Sequence, residues 1–345
     1  MKGIRRLAQH LDISIGTVSR ALNGRPDVNE QTRQRVLEAA ATLGYVPNQS
    51  GRALRKGTTG IVGFMIETDT KISVDGDSFF LSVFDGVQSV LARHQLDLVA
   101  LLCASGQDPH DYLRRMVGRG FVDGLIISAT QRHDPRIDLL ADRHIPFIAL
   151  GRSLTDRGQP WYDLDFEALA STAVSRLAAR GHRRIALAAP ADEINLGYVL
   201  TENYRQALAT AGLPFDPALV LRSAADQAAG YRMAHDLLAL PDRPTAILLA
   251  NEVLSVGLYR GLIEAGVRPG RDIAVIGRDS PHARFLSPTL TSFETSLRDL
   301  GVALAEALLA AMPAFADLYP QGVVRKLWPL ALREGDSDAF TLVRG

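Results

Sequence analysis

Five residues near the start of the chain, Ile15, Gly16, Thr17, Ser19 and Arg20, place small, hydroxyl and guanidinium groups together in the opening turns of one helix. Small residues allow close approach, hydroxyls and helix N-terminal amides suit phosphate, and an arginine can donate two hydrogen bonds to a guanine edge. This is the equipment of a helix that enters a major groove; the alternative is a small solvated bundle used for protein contacts. Enzyme chemistry finds no comparable set. There is no Gly-x-Ser-x-Gly elbow, Walker loop or Gly-x-Gly-x-x-Gly, and the nearest approach, Gly118-Arg119-Gly120, ends a helix instead of following a strand. The single cysteine, Cys103, sits in the apolar run from Leu98 and reads as a small buried side chain. Eight histidines are scattered without metal-ligand spacing, so neither a metal nor a cofactor is expected.

The elements that carry the first set are short helices. Ile4, Leu7, Ala8 and Leu11 form one apolar stripe; Ser14 is a good N-cap for a second helix whose Val18, Ala21 and Leu22 share a face. Asn29 caps a third helix running to Leu43, with Gly44 as its stop. Charge follows the same division. Residues 1–57 hold ten basic and four acidic side chains, while the whole chain balances 38 against 38, so a basic head sits on an acidic body. A basic surface releases counterions from nucleic acid when it docks.

Ile4-Arg5-Arg6-Leu7-Ala8, the run Ser14 to Asn23, Thr32-Arg33-Gln34-Arg35-Val36 and Leu43-Gly44-Tyr45-Val46-Pro47-Asn48 resemble the DNA-binding head of the lactose-repressor (LacI/GalR) family of bacterial transcription regulators. The resemblance implies that Ile15, Gly16 and Arg20 face base edges and that Thr17, Ser19 and Asn23 anchor phosphates. It also implies a hinge helix after Pro47-Asn48, with Asn48, Arg52 and Lys56 as DNA contacts and Leu54 wedged into a minor-groove base step. A free helix so short, containing Gly51, forms only when something holds it, so its folding is coupled to binding. The other reading of this stretch is a flexible basic linker.

From Gly60 onward strands alternate with helices. Apolar runs at 61–66, 98–102, 122–127, 146–150, 185–189, 245–250 and 273–276 are separated by amphipathic stretches, which implies parallel sheets. Ligands of such sheets bind beyond the strand carboxyl ends, here Glu67, Ser128, Gly151, Arg152, Pro190, Asn251, Gly277, Arg278 and Asp279. The body resembles the same family through Gly181-His182-Arg183-Arg184-Ile185, Ala250-Asn251-Glu252, Asp272 to Asp279 and Pro288-Thr289-Leu290-Thr291. It implies an all-α helix-turn-helix head over 1–46, a hinge and linker over 47–58, and an α/β effector-binding and dimerisation domain over 59–345. That domain has two periplasmic-binding-protein-like lobes, one of about 60–160 and 293–322, the other of about 161–292 and 323–340.

The function implied is a repressor of sugar uptake or catabolism genes that binds a palindromic operator as a homodimer under the control of a small molecule between the lobes. Asn251 and Asp279 match positions that hydrogen-bond effector hydroxyls and Phe79 an apolar wall; Ser128, Arg152 and Asp163 join them from strand-end placement. Each has a plainer reading: Asp279 capping a loop, Asn251 capping the next helix, Phe79 in the core. Departures from the family bear on the ligand. Leu200 stands where an arginine often grips it, Asn251-Glu252 replaces Asn-Asp, and Gly277-Arg278-Asp279 replaces Gly-aromatic-Asp. Arg152 and Arg278 facing the cleft would favour an anionic effector such as a sugar phosphate; Arg278 paired with Glu252 would leave the site neutral. A neutral or oligomeric sugar is preferred, with a nucleobase, nucleoside or sugar-phosphate corepressor as the alternative. An enzyme and a transport binding protein are the remote readings, the latter needing an export signal and no basic head. With no signal peptide or long apolar run the expected location is cytoplasmic, without membrane contact. The last residues lack the heptads of a tetramerising coiled coil.

Overall fold

Side-chain oxygens decide where two helices of the N-terminal unit begin. The computed structural model describes residues 3–22, 24–45, 58–68, 77–104, 106–191 and 193–339, and it divides into two compact units between Thr59 and Gly60. The first unit contains α1 (Ile4–Leu11), α2 (Ile15–Leu22) and α3 (Glu30–Thr42). Ser14 Oγ accepts from the Thr17 amide at 3.0 Å and Asn29 Oδ1 from the Thr32 amide at 2.7 Å, satisfying donors that a first helical turn leaves over. Leu7 and Ala8 of α1, Val18 and Ala21 of α2, and Val36, Ala39 and Ala40 of α3 are buried together, so the three apolar stripes meet in one core. The expected hinge, with Asn48, Arg52, Leu54 and Lys56, and also Asn23, lie outside the described residues.

In the second unit β1 (Ile61–Glu67), α4 (Asp77–Leu91), β2 (Asp97–Cys103), α5 (Pro109–Gly118), β3 (Gly124–Ile127), α6 (Pro135–Asp142), β4 (Phe147–Leu150) and β5 (Trp161–Leu164) build a first lobe. The chain then crosses to α7 (Phe166–Ala179), β6 (Ile185–Pro190), α8 (Asn195–Thr210), β7 (Val220–Ser223), α9 (Gln227–Ala239), β8 (Ala246–Leu249), α10 (Leu254–Glu264), β9 (Ala274–Arg278) and β10 (Thr291–Glu294). It returns for α11 (Leu297–Ala311) and β11 (Arg325–Trp328), and crosses a last time to β12 (Ala331–Arg333). Two six-stranded sheets result, β11-β5-β4-β3-β1-β2 and β12-β10-β9-β8-β6-β7; every pairing is parallel except that of β10 with β12. Helices cover both faces, so central strands such as β3 and β8 are buried along their whole length and read as unbroken apolar runs.

The lobe boundaries differ from those expected. Trp161–Leu164 and Arg325–Trp328 pair with each other in the first sheet, and Thr291–Glu294 lies wholly in the second, so each crossing falls a few residues later than the sequence suggested. The β11 strand, Arg-Lys-Leu-Trp, is a largely exposed sheet edge whose residues carry no apolar run to mark it. The crossing segments are tied to one another: the Asp165 amide donates to the Trp328 carbonyl at 2.9 Å and Thr295 Oγ1 to the Pro329 carbonyl at 2.8 Å.

Each lobe is also built on a pair of helices in unusually close contact. A Cβ on Gly86 of α4 would lie 2.0 Å from the Arg298 carbonyl oxygen of α11, and one on Gly301 of α11 would lie 2.1 Å from that of Val83. In the second lobe Gly230 of α9 and Gly257 of α10 repeat the arrangement, at 2.1 Å from Leu254 O and 1.8 Å from Gln227 O. Only a residue without a side chain permits backbones this near. The C-terminal segment is pinned as firmly. Ser337 and Asp338 are fully buried; the Ser337 hydroxyl donates to the Val275 carbonyl, and Asp338 takes Thr291 Oγ1 at 2.6 Å with Arg176 and Arg180 as its ion-pair partners.

Gly86→Ala is therefore expected to force α4 and α11 apart and to lower stability by about 1–3 kcal/mol in urea unfolding of the full chain, as overpacking does. An unchanged midpoint would show that the helices are free to shift. Beside the pinned tail, His182 is buried with Nδ1 2.9 Å from Thr245 Oγ1, and burial pushes its pKa from 6.5 down to about 4. The folded chain disfavours its charged form, so this contribution is complete above pH 6.5 and is lost as pH falls towards about 4. His182→Gln is expected to flatten the stability profile in that window, read as the unfolding midpoint against pH.

Candidate functional site

The head presents one face of α2. Ile15 is 44% exposed, Gly16 is exposed beside it, and the Arg20 side chain is about half exposed, 3.5 Å from Asp27 in a solvated ion pair. Thr17 and Ser19 are half-buried at the edge of this face, the Thr17 hydroxyl 2.9 Å from that of Ser14. Val18 and Ala21 point into the core, so the alternation along the helix separates packing from recognition. The face holds an apolar side chain, a bare backbone and a guanidinium, and Arg5 and Arg6 stand exposed on α1.

In the second unit the carboxyl ends of strands from both sheets meet at a cavity of about 200 Å3 between the lobes. Ser128, Arg152, Asp163 and Phe79 line it from the first lobe and Asn251 from the second. Asn251 also holds its own loop, Oδ1 accepting from the Val253 amide at 2.9 Å, so its capping role and its place at the cavity coexist. Asp279 is the exception among the expected effector residues. It lines an adjoining cavity and its carboxylate is taken by Arg284 at 2.7 Å and by Arg333 at 2.5 Å. Arg333 lies on β12, an edge strand that the apolar pattern did not reveal.

The cavity's cations are compensated by neighbouring carboxylates, one of them, Glu167 on α7, reached across the lobes. Arg152 Nε donates to Asp163 at 2.8 Å and its Nη2 to Glu167 at 2.6 Å. Burial lowers the affinity of this guanidinium for its proton, but the two carboxylates outweigh that and raise it; burial raises the Asp163 pKa, partly offset by Arg152. Arg278 lies 3.0 Å from Glu252, the neutral arrangement, and its guanidinium sits over the Phe79 ring at 5.4 Å across the lobes. Phe80, Phe166, Leu196 and Val253 supply apolar wall.

Beneath the cavity lies a network that the sequence did not disclose. Arg136 is almost wholly buried and pairs with Glu67 and with Asp134, both Asp134 oxygens being engaged, at 2.9 and 2.6 Å. Its Nη2 also donates to the carbonyls of Ser128 and Ala129 at 3.1 and 3.3 Å. Ala129 has φ 50, a left-handed conformation uncommon for a residue with a Cβ, so the guanidinium fixes a strained loop that forms the cavity floor. Asp134-Pro135 reads only as a helix start; the Glu67 partner is 69 residues away and leaves no local signal.

That loop also ties the lobes together. Gln131 bridges Ile194 in antiparallel fashion, the Asn195 amide donates to the Thr130 carbonyl at 2.8 Å, and Asn195 Nδ2 donates to the Arg152 carbonyl at 2.9 Å. The Arg132 guanidinium covers the Tyr198 ring at 4.4 Å. The position at which a family arginine is expected, Leu200, is buried in the core of the second lobe.

Comparison with known proteins follows the same division. Residues 4–48 match the lacI family of bacterial regulatory proteins and residues 174–337 a periplasmic binding protein-like domain. The chain is 34% identical over 330 residues to the HTH-type transcriptional regulator AglR of Rhizobium meliloti (strain 1021), covering 94% of this chain and 91% of that one. Among solved structures it is similar to the transcriptional regulator CelR in complex with cellobiose, with a TM-score of 0.72, 26% identity and coverage of 98% and 100% of the two chains. The fold is also that of the Lac repressor dimer bound to operator and the anti-inducer ONPF, with a TM-score of 0.82 at 22% identity and coverage of 96% and 97%.

Removing the cation beneath the cavity tests its role there. Arg136→Met leaves Glu67 and Asp134 buried without it and is expected to cost about 3–5 kcal/mol in chemical unfolding; a loss under about 1 kcal/mol would mean that the two carboxylates take up protons or water at little cost.

Proposed function

This chain belongs to the lacI family of bacterial regulatory proteins and is a DNA-binding transcriptional regulator, not an enzyme; from that premise we propose that it represses genes of sugar uptake or catabolism under the control of a neutral sugar bound between its lobes. The observation that carries the choice of effector is the compensation of Arg152 by Asp163 and Glu167 and of Arg278 by Glu252. A phosphate-bearing effector would need at least one free cation at the strand ends, and a site whose charges are already paired suits hydroxyl groups. Phe79 gives such a ligand an apolar face and Asn251, Ser128 and Asp163 its polar partners. The cellobiose complex of CelR supports a carbohydrate at this place. Asp279 serves the reading from the adjoining cavity, once Arg284 or Arg333 yields to the ligand.

On the DNA side Ile15, Gly16 and Arg20 read base edges and Thr17, Ser19 and Asn23 hold phosphates, with the 47–58 segment contributing Asn48, Arg52, Leu54 and Lys56. The Lac repressor dimer on its operator supports a homodimer on a palindromic site. Phe285, 89% exposed on the second lobe, is an apolar residue that a second copy would cover. Among the described residues no helix is long and apolar enough to cross a membrane.

The test uses a palindrome from the DNA upstream of the chain's own gene. Arg20→Ala is expected to cost about 1–3 kcal/mol and to relax preference at one base position; uniform weakening on every sequence reassigns Arg20 to phosphate. A neutral sugar is expected to bind by calorimetry and to weaken the operator complex by anisotropy. Strengthening would make the sugar a corepressor, and DNA binding without any sugar binding would overturn the effector assignment.

A further inference from the structure

The turn between α2 and α3 brings a carboxylate back beside the guanidinium that the head presents. Asp27 Oδ2 lies 3.5 Å from Arg20 Nε, and each of the two side chains is a little over half exposed. Asp27 is seven residues from Arg20 and belongs to no helix, so its place depends on how the turn is held.

The turn is held from both ends. The Arg25 amide donates to the Arg20 carbonyl at 3.1 Å, and the Val28 amide to the Arg25 carbonyl at 3.3 Å. From α3, Arg33 donates Nη2 to the same Arg25 carbonyl at 2.9 Å while its Nη1 pairs with Glu30. Pro26 has a fixed φ, and Val28 is buried with Val18 and Val36 in the core of the head. Asp27 therefore stands between a stiff residue and an anchored one, and its side chain is delivered to the flank of Arg20.

Which edge of the guanidinium is taken decides what remains. An arginine has five N–H donors, one on Nε and four on the two Nη atoms. A carboxylate beside Nε occupies the flank and leaves the outer edge, where one donor from each Nη is spaced for the O6 and N7 acceptors of guanine. An unguided arginine has many rotamers and turns as readily to a phosphate. In the free head a solvated pair of this kind adds little stability, so its value lies in the complex.

The charge argues in the same direction. A carboxylate at the edge of a face that meets phosphates opposes docking on any sequence. That cost is recovered only where Arg20 finds a base to read.

Resting on the reading of Arg20 as a base contact, we propose that Asp27 is a specificity-determining residue that acts through Arg20. It presents the outer edge of the guanidinium to a guanine and, by repelling phosphate, penalises duplexes without that guanine.

Fluorescence anisotropy on the full chain at one salt concentration tests this with three kinds of duplex. They are the palindrome from upstream of the chain's own gene, the same palindrome with each half-site guanine replaced in turn by adenine, and an unrelated sequence. Wild type is expected to prefer guanine at one position, and Arg20→Ala to erase that preference. Asp27→Asn keeps the shape and removes the charge. It is expected to cut the preference at that same position by about three-fold or more, to bind the unrelated duplex about two-fold more tightly, and to add no further change in preference to Arg20→Ala. An unfolding midpoint equal to that of wild type shows that the exposed substitution leaves the head folded. Asp27→Asn with an unchanged guanine preference, or with no tighter hold on the unrelated duplex, overturns the role of Asp27 and leaves the base contact of Arg20 standing. Full guanine preference in Arg20→Ala overturns both.

Discussion

A guanidinium held away from water needs a carboxylate, and the cleft of this protein is arranged around meeting that need three times. Arg136 has Glu67 and Asp134, Arg152 has Asp163 and Glu167, and Arg278 has Glu252. Two of these pairings stay within one lobe, whereas Arg152 of the first lobe takes Asp163 beside it and Glu167 on α7 of the second, so its balance joins the lobes. The pairing of Arg136 goes further, since the same side chain holds the carbonyls of Ser128 and Ala129. Without it the floor of the cleft, and the strand-like tie from Gln131 to Ile194 beside it, would have nothing to fix a left-handed alanine. Ion pairs of this kind add little to stability by themselves, because desolvation offsets the attraction; what they confer is a defined geometry.

The parts of this architecture that were legible in the sequence are those with a local signature. Caps at Ser14 and Asn29 follow from side-chain oxygens placed before amphipathic runs, and both act as caps. Central strands such as Gly124–Ile127 and Ala246–Leu249 are apolar throughout because helices cover both faces, so composition alone marks them. Edge strands lack that signature. Arg325–Trp328 and Ala331–Arg333 are short and exposed or half-buried, with no apolar run, which is why the last crossing was expected too early and why Arg333 was not foreseen as the partner that occupies Asp279.

Site residues divide in the same way. Ser128, Arg152 and Asn251 were expected at the strand ends and line the cavity, because parallel strands deliver whatever follows them to one end of the sheet. Arg136 was not, because a buried charge is recognisable only through a partner, and Glu67 is brought to it by the fold. The pairing of Arg278 with Glu252 was one of two arrangements the sequence allowed, and the spacing between the ends of two adjacent strands, β8 and β9, makes it the one adopted.

The neutral cleft has a consequence for how the molecule answers to its surroundings. A head that docks by displacing counterions loses affinity steeply as salt rises. A cleft whose charges are paired, receiving the uncharged sugar proposed above, is far less sensitive to the same change. On the proposed reading, occupancy of the two ends responds to different variables, ionic strength at one and sugar concentration at the other. A regulator that works this way would report the proposed sugar while osmotic conditions shift the baseline on which that report is read.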